Sequence, residues 1–111
     1  MKVFISQPMA DKTDERIKKE REAAANIIKE MYPDEEVEII DSFFEGAPYD
    51  AKPLWFLGES FKKLADANIA VFVGSWREYR GCRMEFEAAN EYGIETYDIP
   101  YESLLDQCNN Q

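Results

Sequence analysis

Glu85 is the residue on which chemistry can turn. It closes the segment Gly81-Cys82-Arg83-Met84-Glu85, whose continuation to Tyr92 has a helical period. On a wheel of about 100° per residue, Gly81, Cys82, Met84, Glu85, Phe86, Ala88, Ala89 and Tyr92 share one continuous arc. Arg83, Glu87, Asn90 and Glu91 occupy the other. Glu85 lies near the centre of the apolar arc, within the first two turns. A carboxylate there is partly desolvated while the helix N-terminus stabilises its charge. Such an acid suits a nucleophilic or general acid/base role. A plain helix-start acid belongs on the polar face instead, where Glu87 stands.

The loop before it, Gly74-Ser75-Trp76-Arg77-Glu78-Tyr79-Arg80, is rich in recognition groups. Trp76 and Tyr79 can stack on a planar ring. Arg80 and Arg83, with the free N–H groups after Gly81, can hold an anion. The competing reading is structural: Trp76 packs on the sheet edge and both arginines pair with the many acids.

Composition narrows the chemistry. The 111 residues carry 13 Lys+Arg against 23 Asp+Glu, a formal charge of −10, and no histidine. Mechanisms built on Ser-His, Cys-His or His-metal pairs therefore have no imidazole to use. Nucleic acid is disfavoured as a partner, because phosphate backbones want a basic face. No apolar run is long enough to span a membrane, and the apolar run at Val3-Phe4-Ile5 is too short for a secretory leader. Cys82 and Cys108, in unrelated contexts, read as reduced thiols, and no CxxC pair offers a zinc site. A cytoplasmic single domain spanning residues 1–111, without cofactor or metal, is the expectation.

The elements that must position Glu85 follow from the hydrophobic pattern. Lys2 to Ser6 reads as a buried strand ended by Pro8. Thr13 caps a helix from Asp14 to about Met31, with Ile17, Ala24, Ile27, Ile28 and Met31 on one stripe. Its charged residues read as a solvated face. Val37 to Ile40 is a second strand. A loop from Asp41 to Lys52 carries Phe43 and Phe44, as a pocket lid or an oligomer contact. Pro53 suits the first position of a helix reaching Ala67. Ile69 to Val73 is an unbroken apolar run, a strand buried on both faces. The Glu85 helix, Gly81 to Tyr92, is closed by Gly93. A strand from Glu95 to Ile99 and a short helix from Pro100 to Gln107 complete the chain.

Strands alternating with helices argue for a parallel sheet covered on both faces. The fold expected is a flavodoxin-like (Rossmann-like) α/β three-layer sandwich with strand order 2-1-3-4. Ligands in such sheets bind beyond the carboxyl ends of the strands, where the order reverses. That rule selects the loops after strands one and three, hence Gln7, Pro8 and Met9 together with Gly74 to Arg80.

These residues resemble the nucleoside 2-deoxyribosyltransferase superfamily, in particular its small bacterial and phage members. The resemblance rests on Ile5-Ser6-Gln7-Pro8-Met9, on Leu64-Ala65-Asp66-Ala67-Asn68-Ile69-Ala70-Val71-Phe72, and on Arg80-Gly81-Cys82-Arg83-Met84-Glu85 with Ala88-Ala89 and Tyr92-Gly93-Ile94. It covers roughly residues 2–99. It implies that Glu85 is a nucleophile attacking the anomeric carbon of a 2′-deoxynucleoside, with transfer to a second base or to water. Related deoxynucleotide N-hydrolases hold a 5′-phosphate at the start of the same helix. The implied substrate is a small-molecule nucleoside or nucleotide. Gln7, Pro8, Met9, Ser75, Trp76, Arg80, Gly81 and Arg83 would shape the pocket, and the chain would form a homo-oligomer, a dimer or larger. Three departures stand out. An aromatic residue is expected after strand one, where this chain has Gln7 and Met9. The transferases place an aspartate six residues before the glutamate, where this chain has Tyr79. They place another near Gly58, where only Glu59 is at hand. The alternative is a non-catalytic nucleotide-binding or regulatory module.

Overall fold

The computed structural model describes residues 1–40 and 47–109. Phe43 and Phe44 lie outside the described residues. The elements run β1 (Lys2–Ser6), α1 (Asp14–Met31), β2 (Glu38–Ile39), α2 (Pro53–Leu64), β3 (Ile69–Val73), α3 (Arg80–Glu91), β4 (Glu95–Ile99) and α4 (Tyr101–Asn109). The sheet is parallel throughout, in the order β2-β1-β3-β4. This is a flavodoxin-like α/β fold, as the alternation of patterns requires.

The register explains which residues are sealed. Val3 to Ser6 lie opposite Ile69 to Phe72, and every residue of β3 is buried. A central parallel strand meets a helix layer on each face, so it must be apolar throughout. On one face Val3, Ile5, Val71 and Val73 pack against Ala23, Ala24 and Ile28 of α1 and Leu104 of α4. On the other, Phe4, Ala70 and Phe72 meet Leu64 of α2 and Cys82 and Ala89 of α3. Phe72 is fully buried and holds Phe86 edge-on, with ring centroids 5.2 Å apart. Burying one such ring contributes about 2–3 kcal/mol.

The edges of the elements differ modestly from the pattern. β2 is two residues rather than four. Helix α2 stops at Leu64, because Ala65 to Asn68 turn tightly into β3. Asn68 completes that turn: its Oδ1 accepts from the Lys2 amide at 2.7 Å, and its own amide donates to the Lys2 carbonyl at 2.8 Å. Thr13 caps α1 by accepting from the Arg16 amide at 3.1 Å. After β3 the chain reverses at Gly74 (φ +62), where a side chain would be strained and would also press on the Tyr101 ring 3.3 Å away. The reversal brings α3 back with its first turn at the carboxyl edge of the sheet. Among the described residues, no helix is long and apolar enough to cross a membrane.

Candidate active site

Helix α1 lies on one face of the sheet and α2 and α3 on the other. All three begin at the carboxyl edge, beside the end of β1. Between them is a cavity of about 740 Å3, a size suited to a small organic ligand. Ser6, Gln7, Pro8 and Met9 form its floor, at the reversal of strand order expected to hold a ligand. Glu85 lines it, together with Gly81, Cys82 and Tyr79.

Glu85 is 8% exposed. The Ser6 hydroxyl donates to Glu85 Oε1 at 3.2 Å, joining the last residue of β1 to the second turn of α3. Burial pushes the Glu85 carboxyl up to about 7, and the Ser6 hydrogen bond pulls it partly back. The group is thus poised between acid and carboxylate near neutrality, the range useful for catalysis. Ser6 also hydrogen-bonds the Cys82 thiol, one turn before Glu85. Burial pushes that thiol up to about 11, so it stays protonated and is a poor nucleophile. Cys82 is a packing and hydrogen-bonding neighbour of the acid, not a rival to it.

Gln7 is buried under the cavity. Its Nε2 donates to the Ile17 carbonyl at 2.8 Å, which fixes the orientation of the amide, since an oxygen there would face another oxygen. This bond fastens the end of β1 to the first turns of α1. Its Oε1 is buried without a partner among the described residues.

A second cavity of about 450 Å3 shares Pro53, Leu57 and Gly81 with the first, so the two adjoin. Its polar lining is Lys52 and Arg80, with no acid among its residues. The N-termini of α2 and α3 meet there. Neither helix start is capped by a side chain, and neither first turn holds an acidic residue. Two positive helix ends and two cations favour an anion in this second cavity.

The structure divides the sequence-derived residues. Glu85, Gln7, Pro8, Met9 and Gly81 line the main cavity, and Arg80 the second. Ser75, Trp76, Arg83 and Glu59 line neither. Trp76 begins a single 3-10 turn, Trp76–Glu78, that folds its ring back onto the core. There it is 3% exposed, 5.1 Å from the Phe72 ring and 4.6 Å from that of Phe86. Its indole N–H donates to Asp98 at 3.0 Å, and the Arg77 guanidinium covers the ring at 4.4 Å. The ring is spent on packing, so it does not stack on a ligand. Arg83 lies on the outer arc of α3 and donates to the Arg77 carbonyl at 2.8 Å. Glu59 pairs with Lys62 on the surface of α2 at 3.0 Å.

The wheel placed Glu85 at the centre of the buried arc, but it lies nearer one edge. Met84 and Tyr92 are exposed, and the buried set is Cys82, Glu85 and Ala89. This offset lets the carboxylate face the cavity rather than the core. Among the polar lining residues, Ser6, Lys52 and the α1 residues Asp14, Lys18 and Arg21 escaped the sequence reading. Ser6 ended an apolar strand and looked like its boundary. The α1 residues belonged to a charge run expected to be a solvated face; that expectation fails at Glu20 too, which is buried between Lys12 and Arg16.

In comparisons with protein-family models, with curated proteins and with solved structures, no match to this chain was found. What can be stated is the class: a flavodoxin-like domain with a buried carboxylate at the switch point of its sheet.

Proposed function

We propose that this chain breaks the N-glycosidic bond of a 2′-deoxynucleoside or its 5′-monophosphate, with Glu85 as nucleophile. The observation that carries the reading is the buried Glu85 carboxylate on Ser6, facing a ligand-sized cavity in a chain without histidine. A Glu85 oxygen attacks C1′ of the sugar. The C1′–N bond breaks, and its electron pair leaves with the base, which takes a proton from water in the cavity. The carboxylate stabilises the positive charge that develops on the sugar and then closes a glycosyl ester. Water or a second base attacks C1′, the ester C–O bond breaks, and Glu85 returns as a carboxylate. No metal or cofactor enters these steps.

The second cavity, which adjoins the first, supports the phosphorylated substrate in particular. A 5′-phosphate at Lys52 and Arg80 would leave the sugar beside Gly81, one helical turn from Glu85. In a chain with a formal charge of −10, an anionic substrate needs such a local positive site. Chromatography of base released from a panel of 2′-deoxynucleosides and their 5′-monophosphates is the test. Release by the native chain that disappears in Glu85→Ala is expected; release that survives this substitution refutes the assignment.

One observation favours a second reading, a nucleotide-binding module without turnover. Neither Tyr79 nor Gly58 supplies the carboxylates that the resembling transferases carry at those places. Calorimetry on the same panel separates the two, since a module gives saturable heats and no free base.

A homo-oligomer belongs to the same proposal. Leu54, Phe56 and Phe61 of α2 and Met84 of α3 are exposed apolar residues, a composition typical of contact surfaces. Light scattering at micromolar concentration is expected to give at least twice the chain mass of 12.9 kDa; a strict monomer counts against it.

A further inference from the structure

Helix α1 presents Asp14, Ile17, Lys18 and Arg21 to the main cavity. Their spacing (i, i+3, i+4, i+7) is that of one helical stripe. Asp14 and Lys18 are oppositely charged and four residues apart, the arrangement that normally closes an ion pair on a helix. They form none with each other, and neither has a hydrogen-bonding or ionic partner among the described residues. Their neighbours are engaged. Arg16 pairs with Glu20 at 2.8 Å, and Arg21 donates to the Ile40 carbonyl at 2.7 Å. An acceptor-only group and a donor-only group thus stand uncommitted on the α1 wall of the cavity.

This wall lies across the end of β1 from the cavity of Lys52 and Arg80, with Ser6 and Glu85 between. If an anion occupies the one end and the sugar lies over Glu85, the remaining part of a nucleotide, its base, falls on α1. We propose that Asp14 and Lys18 read the polar edge of the base and select one carrying an exocyclic amino group beside a ring or carbonyl acceptor. The Asp14 carboxylate can only accept, so it needs the N–H donors of the amino group. The Lys18 ammonium can only donate, so it takes the neighbouring acceptor. A base with a carbonyl in place of the amino group sets oxygen against the carboxylate, and a base with hydrogen there leaves it unpaired. Charged pairings of the same kind distinguish bases in nucleic-acid recognition. This assignment rests on the function proposed above. Guanine, adenine and cytosine satisfy the chemistry, each with a ring nitrogen beside its amino group as the acceptor.

Matched ligands test it. Calorimetric titrations use the Glu85→Gln background, where no bond is broken, and compare the 5′-monophosphates of 2′-deoxyguanosine and 2′-deoxyinosine, of 2′-deoxyadenosine and 2′-deoxyinosine, and of 2′-deoxycytidine and 2′-deoxyuridine. The first two pairs report a purine amino group, at C2 and at C6, and the third a pyrimidine one. In at least one pair the amino-bearing member is expected to bind about tenfold tighter or more. Adding Asp14→Ala is expected to bring that ratio close to one. Adding Lys18→Met should weaken the guanine and hypoxanthine nucleotides alike, because they share the ring N3 acceptor; uracil N3 carries hydrogen, so in the pyrimidine pair only the cytosine nucleotide should weaken. Both side chains are on the surface of the helix, so the fold tolerates these changes, and a general loss of structure would not alter a ratio. Equal binding within all three pairs, or a ratio that survives Asp14→Ala, overturns the assignment alone. If none of the five ligands binds, the functional reading falls and this one with it.

Discussion

Replacing Glu85 by glutamine is expected to lower base release by roughly a thousandfold or more and to make the fold more stable at alkaline pH. The two effects have one cause. The Glu85 carboxyl titrates near 7 because burial penalises its charge. The native state therefore keeps a proton that the unfolded chain releases at the ordinary carboxylate value. Stability falls as pH rises from about 4.5 towards 7, and the full cost persists above 7. A displacement of this size corresponds to about 3 kcal/mol. Glutamine is neutral at every pH and still offers Ser6 an acceptor. Its melting temperature at pH 8 should exceed that of the native chain by roughly 10 °C, and the difference should vanish near pH 4. Calorimetric melts across that range provide the check; equal melting temperatures at pH 8 would show that Glu85 is not held charged at a cost. The proposed activity is expected to have the opposite pH dependence. A carboxylate nucleophile must be ionised, so release should rise through pH 7 and level off above it. On the proposed function the group that destabilises the fold is the group that acts, a common exchange in functional clefts.

The second large effect concerns Glu20. This acid lies in the middle of α1 and is buried, with Lys12 Nζ at 2.9 Å and Arg16 Nε at 2.8 Å. Arg16 in turn reaches the Tyr101 hydroxyl. The Lys12 side chain is only 8% exposed. It belongs to the loop that follows β1, which turns through Asp11 in the left-handed region (φ 63). Glu20→Ala would leave the Lys12 ammonium buried without a counter-charge, at a cost of about 3–5 kcal/mol. Denaturant midpoints at pH 7 measure this directly. The pair is costly to break but not costly to replace. Glu20→Leu combined with Lys12→Met should recover most of the loss. A single Glu20→Ala loss under about 1 kcal/mol would mean that solvent reaches the ammonium freely. The consequence for the site is local, since Lys12 is three residues beyond Met9, part of the cavity floor.

Much of the scaffold was legible in the chain. The unbroken Ile69 to Val73 run can only be a strand covered on both faces, and it pairs with β1 and β4 as such. Alternating strand and helix patterns with right-handed crossovers leave few sheet orders, and 2-1-3-4 is the one observed. The position of Glu85 followed from the same periodicity. Helix period reports which residues avoid water, and a carboxylate on the avoiding side is anomalous enough to notice.

Trp76 shows where that reasoning stops. Its type suits stacking on a ligand and packing on a core equally well. A three-residue turn decides for the core by aiming the ring at Phe72 and Phe86. Arg80 and Arg83, three residues apart on one helix, looked alike as anion ligands. Only the approach of α2, with Lys52 and Pro53, gives Arg80 a cavity and leaves Arg83 outside it.

The sequence alone determined the α/β order, the parallel sheet, the absence of histidine and the place of Glu85 on an apolar helix face. Those properties follow from local period, from handedness and from composition, which the chain carries residue by residue. The tertiary structure decided what surrounds that acid: Ser6 beneath it, the α1 stripe of Asp14 and Lys18 on one side, Lys52 and Arg80 on the other. Charged residues that line a cavity have the same pattern as residues that face water. They can be told apart only when elements distant in the chain close around them.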